Sequence, residues 1–227
     1  MGVESFTAPR RATEKALSKR EWEILWTFAK TRGETPRERR IRAAIGLLYV
    51  TGLRSQELID ARRGQFEFRL PDELEGSEGM TILKVQGKGN KEREVGLSTV
   101  VLGLLEAHWA DFKRVAGRFV DFERPLLLSQ HGALSYSGLY DDLDTFIGSL
   151  VVGLMDSNAR LASRFMNVSP HSLRHTHAVH LLAKSGGDLK AAQEQLGHAS
   201  INTTAIYIHA GVSRRVKLAR DMDAELV

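Results

Sequence analysis

Apolar residues recur at three- and four-residue spacing along most of the chain. One such stripe contains Ile41, Ile45 and Leu48. It begins after Thr35-Pro36, a pair typical of a helix start, and it stops near Gly52. The same helical period is found in other parts of the sequence. The helices that it predicts cover residues 19–30, 36–61, 98–115 and most of the chain from 137 onward.

One stretch has the period of a strand instead. Residues 80–97, MTILKVQGKGNKEREVGL, contain a strand-like run on each side of Gly87-Lys88-Gly89-Asn90, which are typical turn residues. We therefore expect a β-hairpin with Lys88 at its tip, where a lysine can reach into a groove. Together with the helical stretches, the hairpin predicts an α-rich α+β fold, mainly helical with a small antiparallel β-hairpin sheet.

Two of the predicted helices begin beside charged side chains. Ser169-Pro170 combines an N-cap residue with proline at the first helical position, which places His171 and Arg174 on the first turn. Arg54 precedes a helix that we expect Ser55 to cap. Helix N-termini attract anions, so we expect both arginines to hold phosphate rather than to pack. A different stripe of the later helix is expected to face the core: Leu173, His177, His180 and Leu181.

Composition excludes several classes of protein. The chain has 227 residues, of which 42% are apolar, and it lacks the run of about 18 apolar residues that a membrane helix needs. It has no cysteine, which excludes disulfides and thiolate zinc sites, and its start lacks the apolar region of a signal peptide. We therefore expect a soluble, intracellular protein that does not contact a membrane.

The net charge of +4 is modest for a protein that binds nucleic acid. DNA binding therefore requires that basic residues be clustered locally. Three runs are candidates for such clusters: residues 10–20, 37–42 and 84–93.

Four polar side chains in the last third of the chain suit metal-free attack on a phosphodiester. They are His171, Arg174, His198 and Tyr207, which follows His198 by nine residues. A tyrosine hydroxyl is a poor nucleophile at neutral pH, because its free pKa is about 10. It needs a base to take its proton and cations to stabilise the charge that grows on the phosphate, and the two histidines and the arginine are able to supply both.

Two other interpretations of the tyrosines and histidines fit the sequence less well: another tyrosine as the nucleophile, and a metal site formed by histidines. Tyr136 and Tyr140 have no histidine nine residues before them, and we expect both in a structural helix after a Ser135 cap. His171 and His175 have the four-residue spacing of helical zinc pairs. No Glu-x-x-His pattern or third ligand accompanies them, so we expect no metal site.

Four motifs, taken in order, resemble the tyrosine recombinase (phage integrase) family. They are TGLRSQEL around Arg54, VQGKGNKEREV around Lys88, HSLRH at residues 171–175 and LGHASINTTAIYIH at residues 196–209. The resemblance spans roughly residues 15–215 and implies the catalytic domain of that family. Two local departures are Gly96, where the family has a proline in the second hairpin strand, and an added residue near Gly186-Gly187.

The resemblance also implies roles for the site residues. Arg54 and Arg174 would clamp the scissile phosphate, and Lys88 would protonate the leaving 5′ oxygen. His171 would act as base toward Tyr207, and His198 would donate a hydrogen bond to the phosphate. The implied set is completed by Glu57 as a supporting carboxylate and by Lys91 and Arg93 as DNA contacts.

The implied reaction is site-specific recombination of double-stranded DNA through a 3′-phosphotyrosine ester. Arginines that never deprotonate replace a metal ion, and the ester retains the energy of the broken bond, so no cofactor is expected. The resemblance further implies a homotetramer on synapsed DNA, a monomer free in solution, and a bacterial, phage or plasmid protein of the cytoplasm. Two alternatives are relaxation of DNA by a type IB topoisomerase-like enzyme and DNA binding without catalysis. Non-catalytic binding is disfavoured because no implied catalytic position is substituted.

The chain divides into three predicted parts. Residues 1–18 form a basic N-terminal segment or linker remnant, residues 19–212 the catalytic domain, and residues 213–227 a helical tail. The amphipathic pattern of the tail predicts packing on its own domain, whereas the resemblance implies packing on a neighbouring subunit, and both alternatives stay open. Family members usually carry a helical domain before the catalytic one, so we expect either a truncated protein or a naturally short one.

Overall fold

Helices form most of the structure. The computed structural model describes residues 15–69, 80–87 and 92–184. Its helices are α1 (Lys19–Thr31), α2 (Pro36–Thr51), α3 (Ser55–Asp60), α4 (Thr99–Asp111), α5 (Lys113–Ala116), α6 (Tyr136–Met155), α7 (Ala159–Phe165) and α8 (Pro170–Lys184). Its strands are β1 (Phe66–Arg69), β2 (Met80–Gln86), β3 (Glu92–Leu97), β4 (Leu128–Ser129) and β5 (Gly132–Ala133). The α-rich α+β class is confirmed, and within these residues no helix is both long and apolar enough to span a membrane.

The second helix, α2, lies at the centre of the fold. The Thr35 hydroxyl accepts a hydrogen bond from the Glu38 N–H (3.2 Å), and the Glu38 carboxylate accepts one from the Thr35 N–H (3.0 Å). Ile41, Ile45 and Leu48 are buried, as the sequence predicts, and α2 packs against α4, α6 and α8. Because neighbours surround this helix on several sides, residues between those stripe positions are buried too, among them Ala43, Ala44 and Leu47.

The helical stretch 36–61 is divided into two helices near Gly52, as the sequence predicts. Gly52 has φ 61°, a left-handed conformation that glycine adopts readily, and its N–H donates to the Leu48 carbonyl as α2 ends. The chain then turns, and α3 begins at Ser55 with Arg54 as its N-cap residue. Ser55 is therefore the first helical residue and not the cap, and Arg54 stands at the start of a new helix.

A three-stranded antiparallel sheet contains the predicted hairpin. β2 pairs with β3, with Leu83 opposite Val95, and β1 pairs with the other edge of β2, with Phe66 opposite Leu83. β1 was not predicted, because four residues are too few to show a clear alternation. One face of the sheet packs on the main core through Leu83, Val85, Val95 and Leu97.

The segment before α1 belongs to the core. Leu17 is 2% exposed. Its N–H donates to the Thr176 hydroxyl (2.9 Å), and its carbonyl accepts from His180 Nε2 (3.1 Å). The folded core therefore begins before residue 19, the predicted start of the catalytic domain.

Histidines fix α8 against α2. His177 Nδ1 donates to the Tyr49 carbonyl (2.6 Å), and His180 Nδ1 accepts from the Tyr49 hydroxyl (3.0 Å). The Tyr49 ring stacks on Trp22, with 3.5 Å between ring centroids. The predicted core-facing stripe of α8 is confirmed, since Leu173 and His177 are buried and His180 and Leu181 half-buried.

Two buried histidines make the fold sensitive to acid. Burial lowers the pKa of His108 and of His177 to about 4. An unfolded histidine binds its proton near pH 6.5, so between these two values the unfolded chain binds more protons than the folded chain. The contribution of each histidine, about 3 kcal/mol, is complete above pH 6.5 and is lost as the pH falls toward 4.

We expect His108→Gln to reduce this acid sensitivity. His108 Nε2 accepts a hydrogen bond from the Leu128 N–H (2.9 Å), and a glutamine oxygen is able to replace it without titrating. Urea unfolding of the wild type and the variant at pH 7 and pH 5 measures the effect. The stability lost on acidification should be smaller in the variant by about 2 kcal/mol. His131→Gln, at an exposed position, is the control, and equal losses in all three proteins would contradict the assignment.

Candidate active site

Arg54 is positioned by its own helix start. Its N–H donates to Glu57 Oε2 (2.7 Å), and its guanidinium donates through Nη1 to Glu57 Oε1 (2.7 Å). The carboxylate at the third position of α3 thus caps the helix and holds the side chain of the N-cap residue at the same time. The Arg54 side chain is 37% exposed, which leaves part of its guanidinium accessible to a ligand.

Arg174 reaches the same carboxylate from the other end of the chain. It lies on the first turns of α8, its Nη1 donates to the Gly52 carbonyl, and Nη1 is 3.9 Å from Glu57 Oε2. The side chain is only 4% exposed. The expectation that this arginine does not pack was therefore wrong, because Arg174 joins α8 to the turn between α2 and α3.

Glu57 lies at the centre of this arrangement. Its side chain is 7% exposed. Burial by itself would raise the pKa of Glu57, but hydrogen bonds from Arg93 and from the Arg54 backbone, with the positive charge of Arg93, lower it to about 2. The carboxylate is therefore ionised at neutral pH and is surrounded by arginines from three separate segments.

Arg93, predicted as a DNA contact, is the third of these arginines. It donates from Nη1 to Glu57 Oε1 (2.9 Å) and from Nη2 to Glu57 Oε2 (2.7 Å), and its side chain is 8% exposed. The sequence contained a signal for this burial. Arg93, Val95 and Leu97 alternate along β3, which puts them on one face of the strand, and Val95 and Leu97 belong to the core.

His171 lies beside these charges on the first turn of α8. Its ring contacts that of His175, with 4.3 Å between ring centroids. Burial, followed by the positive charges of Arg174, Lys15 and Arg54, lowers the pKa of His171. The imidazole is therefore neutral at pH 7 and able to accept a proton. It borders an open cleft that Lys15, Arg164, Asn167 and Ser169 also line.

The remaining site residues lie outside the described part of the chain. These are Lys88, Lys91, His198 and Tyr207, as well as the Gly186-Gly187 insertion and the 213–227 tail. Tyr136 and Tyr140, the rival tyrosines, lie on α6 after the Ser135 cap, as predicted, and their hydroxyls are hydrogen-bonded to each other (3.0 Å). In the described residues, no three acidic or histidine side chains are grouped so that they could hold a metal ion.

The arginines of the basic run 37–42, a candidate cluster for DNA binding, have partners within the fold. Arg37 and Arg40 both donate to the buried carboxylate of Asp142, at 2.7 and 2.6 Å, and Arg39 pairs with Asp111. Arg42 donates to the Arg32 carbonyl. These residues lie in the first turns of α2, where the neighbouring helices α4 and α6 place the carboxylates of Asp111 and Asp142 beside them. Three of these arginines are therefore neutralised by carboxylates of neighbouring helices.

We expect Glu57→Gln to lower the free energy of unfolding by about 3 kcal/mol at pH 7. The folded pKa of about 2 lies below the usual 4.5, so this contribution is present above pH 4.5 and is lost as the pH falls through the folded value. Urea unfolding measures the change, and the difference between wild type and variant should narrow below pH 4.5. Glu94→Gln removes the partner of an exposed ion pair and should cost less than about 1 kcal/mol. Equal effects of the two variants would contradict the central role of Glu57.

Known proteins share this sequence and fold. A model of the phage integrase family matches residues 15–214. The tyrosine recombinase XerC of Lacticaseibacillus casei (strain BL23) is 31% identical over 191 residues, which cover 83% of this chain and 56% of that protein. The tyrosine recombinase XerD of Lacticaseibacillus casei is 32% identical over 206 residues, which cover 88% of this chain and 61% of that protein.

A solved structure agrees with these relatives. The XerH site-specific recombinase, bound to a palindromic difH substrate in a post-cleavage complex, superposes with a TM-score of 0.66 at 28% identity. The match covers 90% of this chain and 52% of that one. The chain thus spans between half and about three-fifths of the length of the relatives it matches. On the family match, which extends over most of its length, the chain belongs to the phage integrase family of tyrosine recombinases.

Proposed function

We propose that this chain is the catalytic part of a site-specific DNA recombinase that cleaves and rejoins strands through a 3′-phosphotyrosine intermediate. One observation carries the proposal. Arg54 and Arg174, which are 120 positions apart in the numbering, contact the same buried carboxylate, and His171 lies beside them with a lowered pKa. This is the arrangement that a phosphodiester needs, with cations to bind its oxygens and a neutral base at the edge of the site.

The proposed chemistry divides cleavage among six side chains. Tyr207 attacks the phosphorus while His171 takes the proton of its hydroxyl, and Lys88 protonates the 5′ oxygen that leaves. Arg54, Arg174 and His198 donate hydrogen bonds to the non-bridging oxygens, where negative charge increases in the transition state. Attack of another 5′ hydroxyl on the tyrosyl ester reverses these steps and joins a new strand.

Double-stranded DNA is the proposed substrate. The XerH relative is described bound to its difH substrate, which supports this choice. A homotetramer on synapsed DNA, a monomer in its absence and a bacterial cytoplasmic location are parts of the same proposal. The names of the relatives favour recombination over topoisomerase-like relaxation of DNA and over binding without catalysis.

We expect Tyr207→Phe to bind DNA with affinity close to that of the wild type and to form no covalent adduct. Only the nucleophilic hydroxyl is lost, whereas contacts of basic residues with phosphates supply most of the affinity. Nicked duplexes trap the adduct for electrophoresis and mass spectrometry, and a mobility shift measures binding. Tyr136→Phe is the matched control and should retain full adduct formation. An adduct on Tyr136 or Tyr140 would exclude Tyr207 as the nucleophile.

Lys88→Ala should slow cleavage by about 10²- to 10⁴-fold, the usual contribution of a positioned proton donor. A substrate with sulfur at the bridging 5′ position should restore the rate, because a thiolate leaves without protonation. The control is Lys84→Ala, since Lys84 lies on the same hairpin and pairs with Glu67 at the surface. If the sulfur substrate is cleaved as slowly as the ordinary one, Lys88 is not the acid.

A further inference from the structure

We propose that Arg93 is a positioning residue that orients Arg54 and Arg174 through Glu57. The proposal rests on the proposed function, since it concerns how the phosphate-binding arginines are held. It assigns Arg93 to the support of the active site instead of to contact with DNA.

The contact between Arg93 and Glu57 has the geometry of an orienting interaction. Each carboxylate oxygen accepts one N–H from the planar guanidinium, at 2.9 and 2.7 Å, so the plane of the carboxylate is fixed as well as its position. The same two oxygens receive the Arg54 guanidinium, at 2.7 Å on Oε1, and approach Arg174, at 3.9 Å on Oε2. If the carboxylate rotates, both phosphate-binding arginines lose the contact with Glu57 that orients them.

The three arginines are anchored in different elements of secondary structure. Arg93 lies within the β2–β3 ladder, opposite Val85, whereas Arg54 is an N-cap residue and Arg174 lies near the start of α8. Arg93 also follows Lys88 by five positions. Its contact with Glu57 therefore connects β3, the strand that follows the proposed acid Lys88, to α3, the helix that has Arg54 as its N-cap residue.

Arg93 also contributes to the positive charge of the candidate site. In the part of the chain that the structure describes, three guanidiniums surround the carboxylate of Glu57, and these four side chains together carry a net charge of +2. A phosphodiester in the pentacoordinate transition state carries more negative charge than in the ground state. The buried charge of Arg93 keeps Glu57 ionised, and the net positive charge of the four side chains favours binding of a phosphate.

An exposed pair on the same sheet provides a matched control. Arg69, on β1, also donates to both oxygens of one glutamate, Glu94, but it is 26% and its partner 42% exposed. Glu94 is the neighbour of Arg93 in β3 and contacts neither phosphate-binding arginine in the described residues. Arg69→Lys therefore makes the same chemical change in the same sheet, away from Glu57.

The first test compares Arg93→Lys with Arg69→Lys. Lysine keeps the charge and loses the two-pronged contact. For Arg93→Lys we expect the maximal rate of adduct formation to fall by about 10²-fold, as for loss of a preorganised electrostatic contact. Half-saturation by DNA should change by less than threefold. Arg69→Lys should match the wild type in both quantities.

A second test asks whether Arg93 acts through Glu57. The double variant Glu57→Gln/Arg93→Lys should cleave no more than threefold more slowly than Glu57→Gln alone, because the interaction that Arg93 provides is already lost. If the two effects multiply, Arg93 acts independently and the proposal is wrong.

A third measurement separates positioning from DNA contact. Arg93→Gln removes a charge, and a residue that contacts one phosphate would reduce the slope of log affinity against log salt by about 0.9. We expect an unchanged slope for this variant. A slope reduced by that amount would overturn the proposal and restore Arg93 as a DNA contact.

The failures of the two proposals are distinguishable. If the wild type and Arg69→Lys form no adduct with any nicked duplex, the proposed function is wrong and this inference falls with it. If both form the adduct and Arg93→Lys forms it equally fast, the inference alone is wrong. Thermal unfolding of every variant is measured in the assay buffer, and an adduct loss that follows the unfolded fraction also overturns the inference.

Discussion

A single buried carboxylate organises the candidate active site. Removing a charge from water is costly, so Glu57 is stable in its position only while cations and N–H groups surround it. Helix α3 supplies Arg54, strand β3 supplies Arg93 and helix α8 supplies Arg174. These three segments are distant in sequence, and the requirement to neutralise Glu57 draws their side chains to one point. The arrangement of the candidate site therefore depends on this one cluster of charges.

Helix α8 carries two of the proposed site residues, and hydrogen bonds along the helix hold it in place. The Thr176 hydroxyl accepts from the Leu17 N–H, His177 donates to the Tyr49 carbonyl, and His180 donates to the Leu17 carbonyl and accepts from the Tyr49 hydroxyl. This rigid attachment fixes the first turn of α8, where His171 stays neutral because burial and neighbouring positive charges lower its pKa. The buried histidines His108 and His177 make the stability of the fold depend on pH, so acid should weaken the support of the site.

Positive charge has two separate uses in this protein. Arg37, Arg39 and Arg40 hold the helices around α2 together through Asp142 and Asp111, although as a run in the sequence they suggest a nucleic-acid surface. Arg54 and Arg174 are held by Glu57 in a group with excess positive charge. Whether the charge of an arginine is neutralised within the fold depends on how many carboxylates the neighbouring elements bring to it.

The sequence by itself determined the α-rich class, the hairpin, the start of α8 and, through motif order, the family, because periodicity, caps and motifs are local properties. It also placed Arg54, Glu57, Arg93, His171 and Arg174 among the residues of interest. Only the tertiary structure decided that Arg174 is buried, that Arg93 pairs with Glu57, and that Arg37, Arg39 and Arg40 pair with carboxylates of neighbouring helices. The physical reason is that the environment of a charge is set by the partners that distant segments bring to it, and the spacing of residues along the chain does not contain that information.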